Sequence, residues 1–209
     1  RKLNYKYINR YDSCWIMDDE IENLAGALSK PNTLPDNAVF IGTLSRFEKV
    51  EKKKKYDFLG IVSGPEPQRS ILAKGLIKAL KNREEKSLIA LGKPEVNKIE
   101  KLGNLTIQSH LNSKALNEAI LQSDLIICRP GYSTVMDLAR LEKNAIFIPT
   151  PGQTEQEYLA DFYLKNDFFY SQKQSEFNLE LALKESEKYI GFKKIKDVKT
   201  NWEQLFSIF

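Results

Sequence analysis

Residues 123–150, SDLIICRPGYSTVMDLARLEKNAIFIPT, decide how the chain is read. Leu125 to Cys128 is an uninterrupted apolar run, and so is Ala145 to Ile148, with a stretch of helical spacing between them. A strand that is apolar on both faces must be covered on both faces, which is the habit of parallel sheets flanked by helices. The alternation continues outward. Phe58–Val62 and Leu88–Leu91 are apolar runs, NLTIQSH holds another, and QRSILAKGLIKAL, SKALNEAILQ and EQEYLADFYLKN carry helical periodicity. Strands separated by helices of about 10–15 residues imply right-handed crossovers. The predicted fold class is α/β, a doubly wound and mainly parallel sheet over residues 56–209, closed by an amphipathic C-terminal helix.

In the first helix Ile71, Leu72, Leu76, Ile77 and Leu80 are expected to face the sheet, with Lys74, Lys78 and Lys81 elsewhere. In the last helix Trp202, Leu205, Phe206 and Phe209 share one side, expected to cover a core or a neighbouring domain. Residues 1–55 have a different texture: a strand-like DSCWIMDD, a turn-rich SKPNTLPDN, a short AVFIG and then the run EKVEKKKKYD. They are expected to be the end of a preceding domain and a connector, with Lys52 to Lys55 in a loop. The first residue is Arg1, and RKLNYKYINRYD has no apolar signal-peptide core, so the expectation is a piece of a longer chain.

Composition narrows the function classes. The chain has 209 residues, 42% hydrophobic and 29% charged, enough to bury a full core. Its longest apolar runs are about four or five residues, far below the roughly 20 that cross a bilayer. Cys14 and Cys128 are far apart in apolar settings, which argues against a disulfide framework and for a reducing, cytoplasmic compartment. The net charge of +4 is a modest bias concentrated in 48–57 and 191–199. Lys52 to Lys55 read first as a solvated loop and second as a peripheral contact with anionic lipid at the inner face of the membrane. Nucleic acid is not expected as a partner, because the aromatics do not interleave with the basic residues as a stacking platform requires.

Open parallel sheets bind ligands at the carboxyl ends of their strands, where helix N-termini converge. Three such mouths are visible. VSGPEPQRS puts Ser63 and Gly64 after a strand, but it is neither a G-x-G-x-x-G fingerprint nor a P-loop. CRPGYSTVMD brings Arg129, Gly131, Ser133 and Thr134 to a helix start, where Thr134-x-x-Asp137 matches a capping box and Gly131 allows close backbone approach. PTPGQTEQE repeats the pattern, with Gly152 and Gln153 before a second box, Thr154-x-x-Glu157. Capping does not explain Arg129, beside a helix end that already favours an anion, nor the extra Gln156. A ligand combining a nucleoside, a diphosphate and a sugar would use all of them, with Asp137 accepting from ribose hydroxyls and Gln156 with Glu157 reaching the sugar. No metal is expected: His110 is the only histidine, and there is no cysteine cluster or D-x-D run.

SDLIICRPGYSTVMDLARLEKNAIFIPTPGQTEQEYLA also resembles the C-terminal signature of GT-B glycosyltransferases of family 28, those related to the peptidoglycan N-acetylglucosaminyltransferase. The likeness runs over about residues 38–170, and YINRYDSCWIMDDE resembles the last strand of the N-terminal half in bacterial members of unassigned substrate. It implies the Rossmann-like C-terminal half of a GT-B fold, an inverting sugar transfer without metal or cofactor, and a UDP-sugar donor, UDP-N-acetylglucosamine first. Asp137 stands where the family has a Glu that binds ribose, and Gln156 and Glu157 where it has a Gln-Gln pair on the donor sugar. Arg46 matches a basic residue near the interdomain cleft, and His110 and Leu111 match a loop whose backbone reads uracil. Ser63 and Gly64 match the start of a glycine-rich diphosphate loop, although GPEPQ lacks that loop's later small residues. The general base and acceptor site would belong to the missing N-terminal domain, so these residues are expected to bind donor without turning it over. Two other readings fit the same residues: a non-enzymatic UDP-sugar-binding subunit that acts with a separate membrane partner, and half of a UDP-sugar epimerase.

Overall fold

A computed structural model gives the structure of residues 2–192 and 202–206. Its strands are β1 (Cys14–Ile16), β2 (Ala38–Phe40), β3 (Tyr56–Ile61), β4 (Ser87–Ala90), β5 (Ile99–Leu102), β6 (Leu105–Gln108), β7 (Ser123–Cys128), β8 (Asn144–Phe147) and β9 (Tyr170–Ser171). Its helices are α1 (Lys2–Ile8), α2 (Gln68–Leu80), α3 (Ser113–Leu121), α4 (Tyr132–Leu141), α5 (Thr154–Lys165), α6 (Leu179–Ser186) and α7 (Trp202–Phe206). Strands β3 to β9 form one sheet in the order β5-β6-β4-β3-β7-β8-β9. Every pairing in it is parallel except β5 with β6.

The apolar runs explain the layering. Along β7 and β8 alternate side chains enter opposite cores: Ile126 and Phe147 pack with Val135, Leu138, Leu159 and Tyr163, while Ile127 and Ile146 pack with Leu72, Leu76, Leu80 and Leu179. Gly60 of β3 lets α2 lie close to the sheet, since a Cβ there would meet Leu76 at 3.0 Å and Ile89 at 3.2 Å. On α2 the buried face is Leu72, Ala73, Leu76 and Leu80. Ile71, expected on that face, is 48% exposed, because the stripe is narrower than its apolar spacing implied. The hairpin of β5 and β6, turning at Gly103 with φ +58°, has no warning in KIEK, which is polar and lies on the exposed edge.

Residues 1–55 are not a loose linker. Leu24, Ala25 and Phe47 are buried in the same core as α4 and α5. Asp18 is fully buried and accepts the amides of Leu24 (2.9 Å) and Ala25 (2.9 Å) and the hydroxyl of Ser29 (2.5 Å), which ties 18–29 into a compact knot. Three tyrosines clasp that knot to the helices. Tyr132 donates to the Met17 carbonyl at 2.8 Å, Tyr163 donates to the Leu24 carbonyl at 2.6 Å, and Tyr158 accepts the Ala27 amide at 2.7 Å. Lys52 pairs with Glu118 at 3.5 Å and Lys54 with Asp57 at 2.7 Å and with Asp124, so half of the lysine run is held against the domain. At the far end Trp202 and Phe206 of α7 meet Trp15 of β1 edge to face, with ring centroids at 6.3 and 5.4 Å. Phe209 and most of the basic run at 191–199 lie outside the described residues. No described helix is long and apolar enough to cross a membrane.

Candidate functional site

The chain leaves β3 to build β4 and β6 on one side, then returns to lay β7 on the other, so the topological switch point lies between the carboxyl ends of β3 and β7. In sheets of this kind the loops diverge at that point and leave a crevice. A cavity of about 550 Å³ opens there, walled by the ends of β3, β4 and β6 and the starts of α3 and α4. Seven residues singled out from the sequence line it: Arg46, Ser63, His110, Leu111, Ser133, Thr134 and Asp137. They come from four separate segments of chain, and the topology alone brings them together.

Asp137 is the half-buried acid of this wall. Its Oδ1 accepts the Ser45 hydroxyl at 2.6 Å. Burial raises its carboxyl above the ordinary 3.8, opposed by the Ser45 hydrogen bond and by Arg46. Arg46 lies over the Phe47 ring at 5.0 Å and brings positive charge to the rim. At the mouth of α4 the first-turn amides have no intrahelical acceptor, as at any helix start. One of them, on Tyr132, is capped by Glu155 Oε1 at 3.2 Å, and the next two residues, Ser133 and Thr134, line the cavity. Ile61, Val62, Leu116 and Leu138 supply the apolar part of the wall.

The capping expectations do not hold. Helix α4 begins at Tyr132 with Gly131 as N-cap, so Thr134 already lies inside it, and Asp137 bonds Ser45 rather than the helix start. Helix α5 begins at Thr154 itself, with Gln153 as N-cap and no side-chain cap. Gln156 and Glu157 instead reach back to the preceding loop, accepting the amides of Thr150 and Gly152, each at 2.8 Å. Gly131 has an ordinary φ of −81° and room for a Cβ, so close approach does not demand glycine there. Gly64 and Gly152 do have positive φ, +98° and +79°.

Arg129 also differs from its expected place. It is 1% exposed and donates to the carbonyls of Ile148 (2.7 Å) and Gln68 (3.1 Å) and to the side chain of Gln174. Burial lowers its guanidinium to about 10, still charged at neutral pH; its two terminal nitrogens donate to the protein, its buried Nε has no partner, and the residue does not line the cavity. The mouth of α2 is likewise filled: Glu66 accepts the Ser70 amide at 3.1 Å and pairs with Arg69 at 3.0 Å. A carboxylate in that position takes the place a phosphate would need. Gly64, Gly152, Gln153, Gln156 and Glu157 do not line the cavity; Glu157 borders a separate one of about 600 Å³ between α5 and the segment from β9 to α6. Among the described residues no cluster of three His, Cys, Asp or Glu side chains could hold a metal ion.

Asn112, Gly92 and Ser45 are among the residues at this site that sequence reasoning missed. Asn112 caps α3, accepting the Ala115 amide at 2.9 Å, and the N-cap pattern of LNSKA carries that signal. Gly92 has φ +64°, and a Cβ there would meet the Val62 carbonyl at 2.5 Å, so the glycine ending SLIALG was also legible. Ser45 has no such signal, because its partner Asp137 is distant in sequence.

Known structures share this architecture. A glycotransferase of kitacinnamycin superposes with TM-score 0.61 at 11% identity, covering 85% of this chain and 47% of that one. MurG from Acinetobacter baumannii superposes with TM-score 0.58 at 23% identity, covering 84% and 56%. Spinosyn forosaminyltransferase gives TM-score 0.55 at 12% identity, covering 76% and 42%. The chain thus spans about half the length of the solved structures it matches, and no curated protein matches its sequence. The fold is that of the Rossmann-like C-terminal half of a GT-B glycosyltransferase. The profile of the glycosyltransferase family 28 C-terminal domain matches residues 68–191, more than half of the chain, and the chain belongs to that family.

Proposed function

We propose that the protein is the donor-binding half of an inverting glycosyltransferase that moves a sugar from a UDP-sugar, N-acetylglucosamine first, to an acceptor held by an N-terminal half. Residues 1–55 are, in this proposal, the end of that half and its connector, and residues 56–209 the nucleotide-sugar domain. The observation that carries it is the convergence of Arg46, His110, Leu111, Ser133, Thr134 and Asp137 on one cavity at the switch point. Uracil lies in the apolar wall, read by the backbone at His110 and Leu111, and the ribose hydroxyls donate to Asp137. The diphosphate meets the amides of Ser133 and Thr134 and the charge of Arg46. Donors fixed before the reaction stabilise negative charge as UDP leaves, which is the electrostatic part of such catalysis. Gln156 accepts the Thr150 amide through Oε1, which leaves its NH2 to donate to a sugar hydroxyl. Lys53 and Lys55, on the exposed run before β3, support a peripheral contact with anionic lipid.

Calorimetric titration with UDP, ADP, GDP and UDP-N-acetylglucosamine tests the proposal. Uridine nucleotides are expected to bind and the others not. Asp137→Ala is expected to weaken UDP itself, and Gln156→Ala only the sugar-bearing form. Equal affinity for all three diphosphates would sink the uridine assignment.

A further inference from the structure

Asp137 is a short acid asked to do a reaching job. It lines the cavity from α4, beside Arg46 and Phe47 of the segment before β3. Within a helix an aspartate readily turns back to bond the local backbone. Here it does not: Oδ1 is taken by the Ser45 hydroxyl at 2.6 Å. Ser45 is itself anchored, because its oxygen accepts the amide of Phe47 at 3.0 Å and Phe47 is buried in the core. A core-fixed hydroxyl therefore sets the orientation of the acid from outside its own helix. Among the described residues Oδ2 has no protein partner, so one carboxylate oxygen is committed to the scaffold and the other is available to a ligand.

We infer that Ser45 is a positioning residue that fixes the Asp137 carboxylate for a vicinal ribose diol, so that the cavity selects ribonucleotides over 2′-deoxyribonucleotides. The inference rests on the nucleotide assignment of the cavity and adds to it the residue that sets its sugar specificity. An ionised carboxylate can accept from two neighbouring hydroxyls, and a plane held in advance makes that pairing geometrically selective. A ligand lacking one hydroxyl leaves a half-buried acid short of a partner, which is how polar sites reject such analogues. Arg46 and His110 are the other charged or titratable groups on this cavity's wall, so the comparison is made at one fixed pH.

The test is titration of the intact chain with UDP and with 2′-deoxy-UDP, for wild type, Ser45→Ala, Ser45→Thr and Asp137→Asn, each checked for an unchanged thermal midpoint. Wild type is expected to prefer UDP by about tenfold or more, the size of one hydrogen bond to a charged group. Ser45→Ala is expected to lose most of that preference by weakening UDP while leaving 2′-deoxy-UDP nearly unchanged, and Ser45→Thr to restore it. Ser45→Ala that keeps the wild-type preference, or weakens both ligands equally, overturns the inference. If Asp137→Asn abolishes the preference while Ser45→Ala does not, the nucleotide assignment stands and the role of Ser45 falls. If wild type binds neither ligand, both fall.

Discussion

Arg129 donates to two carbonyls and a glutamine side chain from a site that water does not reach. Arg129→Ala would leave those acceptors buried without donors, and a loss of about 3 kcal/mol is expected in urea unfolding. In the protein that remains folded, UDP affinity should stay within about threefold of wild type, since about 1.4 kcal/mol makes tenfold and this guanidinium is buried away from the cavity wall. A large loss of affinity at unchanged stability would return Arg129 to the phosphate. Asp137 behaves in the opposite way, because its value is in binding. Burial raises its carboxyl above 3.8, so the acid takes up its proton at a higher pH than a free side chain does. The ionised form accepts from ribose hydroxyls and the neutral form accepts less well. UDP affinity should therefore decline as pH falls through that raised value, and Asp137→Asn should flatten this limb.

At the scale of elements, β3 is the hinge of the architecture, paired with β4 on one side and β7 on the other. At Gly60, next to its last residue, a methyl group would press on Leu76 at 3.0 Å and Ile89 at 3.2 Å, tighter than ordinary contact. Gly60→Ala should cost about 1–3 kcal/mol by overpacking, read as a lower urea midpoint with an unchanged slope. Because α2 would be pushed off the sheet, the loop holding Ser63 should shift, and the nucleotide should bind less well in proportion. The mouths of α2 and α4 carry a different lesson. Glu66 fills the mouth of α2, and Glu155 takes the Tyr132 amide at that of α4, so a helix start with free polar residues in sequence need not be wholly free in the fold.

For the whole molecule, the segment before β3 differs in composition from the rest and packs against it. Leu24, Ala25 and Phe47 belong to the core shared by α4 and α5, and the tyrosine clasp holds 17–27 in place. Burial of Leu24 and Phe47 alone is worth roughly 4 kcal/mol. A chain beginning at Tyr56 is therefore expected to unfold at a markedly lower temperature and to bind hydrophobic dye, while the chain from Arg1 melts cooperatively. It should also lose nucleotide, because Ser45 and Arg46 leave with the deleted segment. An equal melting temperature for the two chains would contradict this packing.

Much of this protein was legible from its residues. Apolar runs without alternation required strands covered on both faces, and their spacing with helices required parallel crossovers, which places a crevice at the strand ends. Asp137, His110 and Ser133 could be placed near that crevice because each follows a strand at a readable offset. What sequence could not supply was the partner of each polar group. Whether Arg129 faces a ligand or a carbonyl, whether Thr134 caps a helix, and whether Asp137 meets Ser45 depend on segments far apart in the chain. Local pattern fixes where an element runs, because backbone hydrogen bonds and side-chain periodicity are short-range. Tertiary packing decides how each buried donor and acceptor is satisfied, because that choice is made among neighbours that only the folded chain brings together.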